Sequence, residues 1–556
     1  MTSANIAAHL PRVAAERPHQ LAVLAGMPAD PRGVEQLTFA ALQRASDQLA
    51  WGLSSYGIGR GTRTLLLVRA GLPLITLTFA LFKVGAVPIL IDPAMGRTSL
   101  LACIAECAPQ ALVGIPRAHL ARLRYPKPFA SVQRAVTVGP FAPWGGATLD
   151  QLRLNIDAPF PLAEVTDDEL AAILFTSGST GVPKGVAYTH GMFQAQVVAL
   201  RALYQFAPGE IEMPAFPLFA LFNVALGLTS AIPPIDPTRP ASCDPAAVVA
   251  FVQHHRVTST FGSPAIWQKV TRYCLDSGTR LPTLRRVLMA GAPVPPILHE
   301  RFQLILREDA DTHTPYGATE ALPVASASGR EVLAAMRERD DPLAGTCVGR
   351  AAPGITLKII PIDDDPIAEW DDDLALPAGQ IGEIVVTGAV VTHAYVNRPQ
   401  QAARAKIRAG DQIWHRMGDL GYFDDAGRLW FYGRKSQRVR TAAGELYTEP
   451  CELVCNAHPA VARSALVGVP AAAGYQRPVL VIEPLDKQLL TNADDRAALV
   501  AELRARTARY PMTAAIDTFV FHPSFPVDIR HNAKIFREQL ATWAAGELAS
   551  TTVVTG

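Results

Sequence analysis

The 556-residue sequence lacks an excess of charge of either sign, with 51 Lys and Arg against 50 Asp and Glu. Nucleic-acid-binding proteins usually carry a basic excess, so this balance gives no support to that class. The sequence also lacks a disulfide framework, because its seven cysteines are odd in number and widely spread. We therefore expect reduced cysteines in the core, as suits a cytoplasmic protein.

Long uninterrupted apolar runs are absent as well. Residues 64–91 and 214–234 are the most apolar segments, but Pro, Gly or polar residues interrupt each before about 20 apolar residues. We expect these segments to form buried elements and expect no integral membrane span. The first residues have no basic region leading into a long apolar stretch, so no secretory signal peptide is predicted.

What is present is an alternation of helical and strand-like patterns. A helical pattern over 38–57 is followed by β-branched or apolar runs at 62–68 and 86–91. This alternation predicts an α/β fold with a large N-terminal domain, built from parallel-rich sheets that helices cover.

The sequence pattern changes from strand–helix alternation to strand–turn–strand near residue 380. The segments "GQIGEIVVTG", "YFDDAGR" and "GRLWFYGRK" predict a subdomain of antiparallel hairpins with Asp/Gly turns. A smaller α+β segment follows, so we predict an N-terminal domain over 1–433 and a mobile C-terminal domain over 434–556. The acidic run 363–373 is interpreted as a solvated loop without a function.

The strongest motif is "LFTSGSTGVPKGVAYTH" at 174–190. An apolar strand runs into a turn whose glycines let backbone N–H groups point at an anion, while hydroxyls and a lysine add donors. The candidate anion-binding residues are Thr176, Ser177, Gly178, Ser179, Thr180, Gly181 and Lys184. The nucleotide-binding pattern GxxxxGK[ST] does not fit, because Val182 and Pro183 separate the last glycine from the lysine.

This segment resembles the phosphate loop of the adenylate-forming superfamily, which comprises acyl-CoA synthetases, nonribosomal peptide adenylation domains and beetle luciferases. The resemblance covers nearly the whole chain and implies ATP and Mg²⁺ as cofactors. "MAGAP" and "YGATE" resemble its adenine-pocket segments. The cofactor-binding residues that they imply are Gly291, Ala292, Pro293, Tyr316, which would stack on adenine, Gly317 and Thr319.

The same resemblance assigns the remaining site residues. Glu320, together with Thr176, would hold magnesium. Asp419 in "HRMGDLGYF" would bind the ribose hydroxyls, and Arg434 would contact ribose or phosphate. Lys534 would be the C-terminal catalytic lysine, so the implied catalytic residues are Lys534, Glu320 and Thr176.

Three positions depart from the usual superfamily pattern. Ala220 stands where a histidine is common, Ser436 stands at the domain hinge, and Ala533 replaces the glycine before the last lysine. These departures and "RHNAKIFRE" resemble the β-lactone synthetases of bacterial long-chain olefin biosynthesis. That resemblance implies adenylation of a 2-alkyl-3-hydroxy fatty acid, followed by attack of its own 3-hydroxyl to give a β-lactone and AMP. It also implies thiolase-like, reductase and decarboxylase enzymes as partners.

The segment "PAFPLFALFNVALGL" offers a candidate alkyl pocket, formed by Phe216, Phe219, Ala220 and Phe222, although such spacing fits an ordinary core equally well. His190 and His313 lie near the motifs, but neither is identified as a base for the hydroxyl. The alternatives are a long-chain fatty acyl-CoA or acyl-carrier-protein ligase, a non-catalytic acyl-binding relative and, more distantly, an adenylate-oxidising luciferase.

Overall fold

The computed structural model describes residues 3–28, 30, 33–92, 95–176, 183–236, 238–527 and 534–554, with side chains up to residue 549. Its strands, in chain order, are β1 (Leu21–Ala25), β2 (Glu35–Thr38), β3 (Arg63–Leu67), β4 (Val87–Leu90), β5 (Ala111–Gly114), β6 (Arg134–Thr137), β7 (Ala147–Thr148), β8 (Leu170–Phe175), β9 (Gly185–Thr189), β10 (Ile211–Pro214), β11 (Thr229–Ile232), β12 (Ser259–Gly262), β13 (Arg286–Met289), β14 (Asp311–Ala318), β15 (Ala321–Ser328), β16 (Thr346–Ala351), β17 (Ile355–Ile360), β18 (Gly382–Gly388), β19 (Lys406–Ala409), β20 (Gln412–Phe423), β21 (Leu429–Arg434), β22 (Val439–Thr441), β23 (Gly444–Leu446), β24 (Val461–Pro470), β25 (Gln476–Pro484) and β26 (Thr518–Phe521).

Helices connect most of these strands. In chain order they are α1 (His9–Glu16), α2 (Phe39–Ser55), α3 (Leu72–Lys83), α4 (Arg97–Cys107), α5 (Pro116–Arg124), α6 (Leu149–Leu152), α7 (His190–Tyr204), α8 (Phe219–Leu226), α9 (Pro245–His254), α10 (Pro264–Ser277), α11 (Pro296–Ile305), α12 (Gly329–Arg339), α13 (Pro399–Ala405), α14 (Thr448–Asn456), α15 (Ala493–Thr507) and α16 (Arg537–Val554).

The predicted strand–helix alternation is confirmed. One sheet has the order β7-β6-β5-β3-β4-β8-β9, and all of its pairs are parallel except β8–β9. The apolar run 64–91 forms β3, α3 and β4, and the α3 side chains from Leu74 to Lys83 are all buried. An all-round apolar helix belongs inside a protein or a membrane. Among the described residues, no helix has both the length and the apolar character that crossing a membrane requires.

The larger sheet contains both parallel strands and antiparallel hairpins. Among the described residues it runs β17-β18-β20-β21-β16-β15-β14-β13-β12-β10-β11-β1-β2, with β19 paired to β20. Strands β10 to β14 are parallel, whereas β14 to β21 form antiparallel pairs. The antiparallel hairpins that the sequence predicts near residue 380 are present, but antiparallel pairing begins earlier, at β14–β15. Loops that follow parallel strands meet at their carboxyl ends, where α/β proteins bind ligands.

Residues beyond Arg434 form two smaller sheets, β22–β23 and β24–β25–β26, which α14, α15 and α16 accompany. Their mixed parallel and antiparallel pairing agrees with the α+β character expected for this part. The domain boundary at 433/434 and the mobility of the second domain stay predictions.

A buried seam joins the chain on either side of residue 434. The ring of Tyr447 lies 5.5 Å from that of Tyr432, between centroids. Thr346 Oγ1 donates to Glu449 Oε1 at 2.5 Å. Gly433 has φ +119°, and a Cβ there would lie 2.3 Å from Thr448 Oγ1, so only glycine lets β21 approach α14 this closely.

The acidic loop 363–373 is exposed, as expected, but its contacts correct the expectation that it has no role. The carboxylate of Asp364 pairs with Arg438 at 2.8 Å and also with Arg440. Lys435 Nζ donates to the carbonyl oxygen of Asp363 at 2.8 Å. The loop therefore attaches the hairpin-rich part to the segment that follows residue 434.

The carboxyl of Glu449 makes stability across this seam pH-dependent. Burial raises its pKa to about 7, above the value of about 4.3 expected in the unfolded chain. The folded state then binds more protons than the unfolded state between these values, so the contribution of Glu449 to stability falls as pH rises from about 4.3 to 7.

We expect Glu449→Gln, which keeps an acceptor for Thr346, to lose this pH dependence. The melting temperature of the variant relative to the wild type should rise by a few degrees between pH 5 and pH 8, measured by differential scanning fluorimetry. Glu300→Gln, at an exposed position on α11, is the matched control. A constant difference across this pH range would contradict the assignment.

Candidate functional site

The predicted anion-binding segment begins at the carboxyl end of β8 and ends at β9. Thr176 N–H donates to the carbonyl oxygen of Lys184, and Lys184 N–H donates to Thr176 Oγ1, each at 3.1 Å. These two bonds close the neck of a loop whose predicted residues Ser177, Gly178, Ser179, Thr180 and Gly181 lie outside the described residues. Lys184 Nζ lies 4.8 Å from the centroid of the Tyr395 ring.

A buried carboxylate lies where β20 and β21 pair. Asp419 is opposite Arg434 in the register and is 4% exposed. Its Oδ1 lies 3.0 Å from Arg434 Nη1, and its Oδ2 accepts a hydrogen bond from Tyr316 Oη at 2.7 Å. Burial raises the pKa of Asp419, against the opposing effects of Arg434 and Tyr316. Oδ1 accepts no well-directed hydrogen bond from the described residues, so this buried oxygen retains acceptor capacity.

Lys534 lies close enough to Asp419 for its positive charge to lower the pKa of that carboxyl. The residues directly after it are anchored. Ile535 is buried and forms a β-bridge with Val527. Arg537 Nη2 donates to both carboxylate oxygens of Glu452 at 2.7 Å. Lys534 therefore directly precedes a segment that Val527 and Glu452 fix in position.

Glu320, in the turn between β14 and β15, is held by residues that sequence reasoning missed. Tyr395 Oη donates to Glu320 Oε1 at 2.8 Å. Thr392 donates to the carbonyl oxygen of Glu320 through its N–H at 2.9 Å and its Oγ1 at 3.0 Å. Lys406 is only 7% exposed, and its Nζ donates to the carbonyl oxygen of Thr392. The Lys184–Tyr395–Glu320 contacts thus join the loop at 176–184 to "YGATE".

The other predicted nucleotide-site residues follow neighbouring strands. Gly291, with φ +92°, Ala292 and Pro293 come just after β13, which pairs with β14. Thr319 is fixed through its carbonyl oxygen, which accepts from Tyr188 Oη. A Cβ on Gly317 would lie 2.7 Å from the carbonyl oxygen of Ala321, so the turn is too tight for a side chain.

An apolar cavity lies behind these strands, and two of the four candidate pocket residues line it. Phe219 and Phe222 do so, whereas Phe216 contacts Phe219 and Ala220 is buried beside them. The full lining comprises Leu200, Tyr204, Phe206, Glu212, Phe219, Phe222, Asn223, Leu226, Phe261, Leu288, Pro315, Leu322 and Pro323. Burial raises the pKa of Glu212 to about 8, and Asn223 Nδ2 donates to its carboxyl.

Neither histidine that lies near the motifs faces this cavity as a lining residue. His190 Nδ1 accepts the N–H of Ile6 at 3.2 Å, and burial lowers its pKa to about 4. The ring of His313 packs against that of Tyr204, with 5.4 Å between centroids. Both contacts are those of structural histidines.

Comparisons with known proteins agree with this arrangement. The family model for the AMP-binding enzymes matches residues 10–396. The chain is 48% identical to the olefin β-lactone synthetase of Stenotrophomonas maltophilia (strain K279a), over 98% of each chain. It is also 48% identical to the olefin β-lactone synthetase of Xanthomonas campestris pv. campestris, again over 98% of each. The amide bond synthetase McbA from Marinactinospora thermotolerans shares the fold, with a TM-score of 0.78 and 24% identity over 97% of this chain and 99% of that one.

The fold and the family match define an adenylate-forming ligase: this chain belongs to the AMP-binding enzyme family. Within that family it is similar over nearly its whole length to olefin β-lactone synthetases, which confirms the resemblance drawn from its motifs.

Lys406 supplies a pH test of the cluster around Glu320. Burial lowers its pKa to about 7, from about 10.4 in an unfolded chain. The unfolded state then binds more protons than the folded state between these values. The cost of burying the ammonium is therefore fully present below pH 7 and declines as pH rises toward 10.

We expect Lys406→Met to remove this cost. The melting temperature of the variant relative to the wild type should be highest near pH 6 and fall by several degrees toward pH 9. Lys358→Met, at an exposed position on β17, should show no such trend. An equal difference at every pH would refute the assignment of a titrating buried amine.

Proposed function

We propose that this chain uses ATP to adenylate the carboxylate of a long-chain 2-alkyl-3-hydroxy fatty acid and then closes the product to a β-lactone. The observation that carries the proposal is the Asp419 cluster, where Tyr316, Arg434 and the charge of Lys534 converge on one buried carboxylate. The 48% identity to olefin β-lactone synthetases over nearly the whole chain supports the second step and the substrate class.

The described residues fit a nucleotide. Asp419 Oδ1 retains acceptor capacity that suits a ribose hydroxyl. Tyr316 is proposed to stack on the adenine ring, as its place in "YGATE" implies. Lys184, with Thr176 at the neck of the loop, suits the phosphates, and so do the donors that the sequence predicts from Ser177 to Gly181. Gly291, Ala292, Pro293 and Thr319 are proposed to complete the adenine pocket.

Magnesium fits Glu320 together with Thr176. Tyr395 engages Oε1 of Glu320, which leaves Oε2 for a cation, and hard oxygen ligands are those that Mg²⁺ prefers. When bound, the ion would screen the phosphate charge. The chain's own contribution is to hold the carboxylate in place through Thr392 and Tyr395.

The first step must bring two anions together. At about 4 Å and an effective dielectric constant of about 20, each pair of like charges repels by about 4 kcal/mol. The carboxylate oxygen attacks the α-phosphorus, the bond from that phosphorus to the bridging oxygen breaks, and pyrophosphate leaves. Lys534 is proposed to stabilise both anions during this attack, as positioned cations do in phosphoryl transfer.

In the second step the 3-hydroxyl oxygen attacks the acyl carbon, the bond to the AMP oxygen breaks, and the hydroxyl proton passes to solvent or to the departing phosphate. The nucleophile is tethered to its target, so its effective concentration is high and no thiol acceptor is needed. Ala220 and Ser436, at positions of the superfamily's thiol-transfer half-reaction, are consistent with this. The residues around Phe219 and Phe222 are proposed to move apart and take an alkyl chain, since the cavity that they line measures only about 30 Å³ in this structure.

Incubation with ATP, Mg²⁺ and a 2-alkyl-3-hydroxy acid, without coenzyme A, tests the function directly. We expect a β-lactone by NMR, with AMP and pyrophosphate formed in equal amounts. The matched 2-alkyl acid without the hydroxyl should give pyrophosphate but no lactone. Robust thioester formation from a simple fatty acid and coenzyme A, without lactone from the hydroxy acid, would instead favour an acyl-CoA or acyl-carrier ligase.

Lys534→Ala should lower acid-dependent pyrophosphate release by on the order of 100-fold or more, because the cation at the reacting groups is lost. Binding of Mg²⁺–ATP, followed by isothermal titration calorimetry, should change little. Lys487→Ala, at an exposed position in the same part of the chain, is the control. A Lys534→Ala variant with near wild-type turnover would remove this lysine from the mechanism.

We also propose that this enzyme works in the cytoplasm, beside thiolase-like, reductase and decarboxylase enzymes. Its support is the similarity to olefin β-lactone synthetases. The chemistry agrees, since a strained lactone must be consumed by an enzyme that breaks it down.

A further inference from the structure

The local charge of one segment departs from the balance of the whole chain. Between Glu106 and Asp150 the sequence contains no acidic residue. The same stretch carries five basic residues, which are Arg117, Arg122, Arg124, Lys127 and Arg134. In a chain with 51 basic and 50 acidic residues, this stretch therefore carries a local excess of positive charge.

Three large apolar side chains are exposed on the same stretch. Leu120 is 54% exposed, Leu123 58% and Phe141 76%. Leu120 and Leu123 are three residues apart on α5, so they share one helix face. Single exposed apolar residues are normal, but a group of them marks an interaction site.

The segment that carries Phe141 runs alongside α5. A Cβ on Gly139 would lie 3.5 Å from Pro116 Cγ, at the start of the helix. Further on, the ring of Trp144 stacks on that of His119, with 5.3 Å between centroids, and the Trp144 carbonyl oxygen accepts from Arg122 Nη2 at 3.1 Å. Phe141 therefore lies in a segment that packs along α5, the helix that carries the exposed leucines.

Basic side chains surround this apolar group. Arg117, Arg124 and Lys127 are exposed, and none of them forms an ion pair with any residue in the described part of the chain. Arg97 and Arg124 both lie over the ring of Tyr125, at 5.8 and 5.2 Å from its centroid. We call the set Arg117, Leu120, Leu123, Arg124, Lys127 and Phe141 the basic–apolar face.

We propose that the basic–apolar face docks the enzyme on an anionic lipid bilayer. Leucine and phenylalanine enter the boundary between headgroups and acyl chains, while arginine and lysine bind lipid phosphates around them. Charge complementarity favours this occupant over a protein partner, because the face has one sign of charge throughout and lacks the acidic groups that would make it self-complementary. The proposal does not depend on the reaction that the enzyme catalyses.

Vesicle flotation with the full-length protein tests this directly. We expect the wild type to float with phosphatidylcholine vesicles that contain phosphatidylglycerol, and not with pure phosphatidylcholine vesicles. High salt should release it, because screening weakens attraction between exposed charges. Failure of the wild type to bind phosphatidylglycerol vesicles would overturn the proposal.

Two sets of variants locate the site. Leu120→Ser with Phe141→Ser, and separately Arg117→Gln with Lys127→Gln, should each lower the vesicle-bound fraction about 10-fold. These side chains are exposed, so melting temperatures should stay unchanged. Leu304→Ser with Leu485→Ser removes two equally exposed leucines elsewhere, 65% and 64% exposed, and should bind like the wild type.

The remaining outcomes all count against bilayer docking at this face. Equal loss in the Leu304/Leu485 control would mean that general surface hydrophobicity drives binding. Wild-type binding by the face variants would place the contact elsewhere. A change in oligomeric state on analytical ultracentrifugation, with vesicle binding unaltered, would assign the face to a second copy of the chain.

Discussion

The candidate site depends on one buried carboxylate, whose surroundings favour its negative charge in one respect and disfavour it in another. Asp419 has almost no contact with water, which disfavours its charge, yet Arg434 across the β20–β21 pair and the hydroxyl of Tyr316 favour that charge. A buried ion held in this way fixes its neighbours, because moving either partner leaves the charge uncompensated. The end of β14 and the β20–β21 hairpin, which are far apart in sequence, thereby acquire one relative position.

The same residue pair lies at the end of the large part of the chain. Arg434 is the last residue of β21, and Lys435 next to it contacts Glu383 at 2.9 Å as well as the 363–373 loop. Arg434, which pairs with Asp419, therefore directly precedes the part of the chain that carries Lys534. A substrate that binds Asp419 therefore contacts the β20–β21 hairpin, and the C-terminal part of the chain begins where that hairpin ends.

Sequence reasoning located the strand ends of the candidate site. Thr176 and Lys184 bond to each other where β8 ends and β9 begins, and the segment from Tyr316 to Glu320 contains the end of β14 and the turn before β15. The roles of these residues stay predictions. It failed where a role arises from long-range pairing. Nothing in the segment "ARAKIRAG" around Lys406 marks a buried amine, because Lys406 and Ile407 are both buried and the usual alternation along a strand is lost. Tyr395 reaches Glu320 only through the connection between β18 and β19, which no periodicity describes.

The aromatic seam beside residue 434 also limits how the polypeptide can be divided. Trp430, Tyr422 and Tyr432 form a buried cluster that Tyr447 and Met512 cover from the other side. Separate expression of the two pieces would present this apolar surface to water on both of them. Fragment complementation would therefore have to restore this contact, because each piece covers an apolar surface of the other.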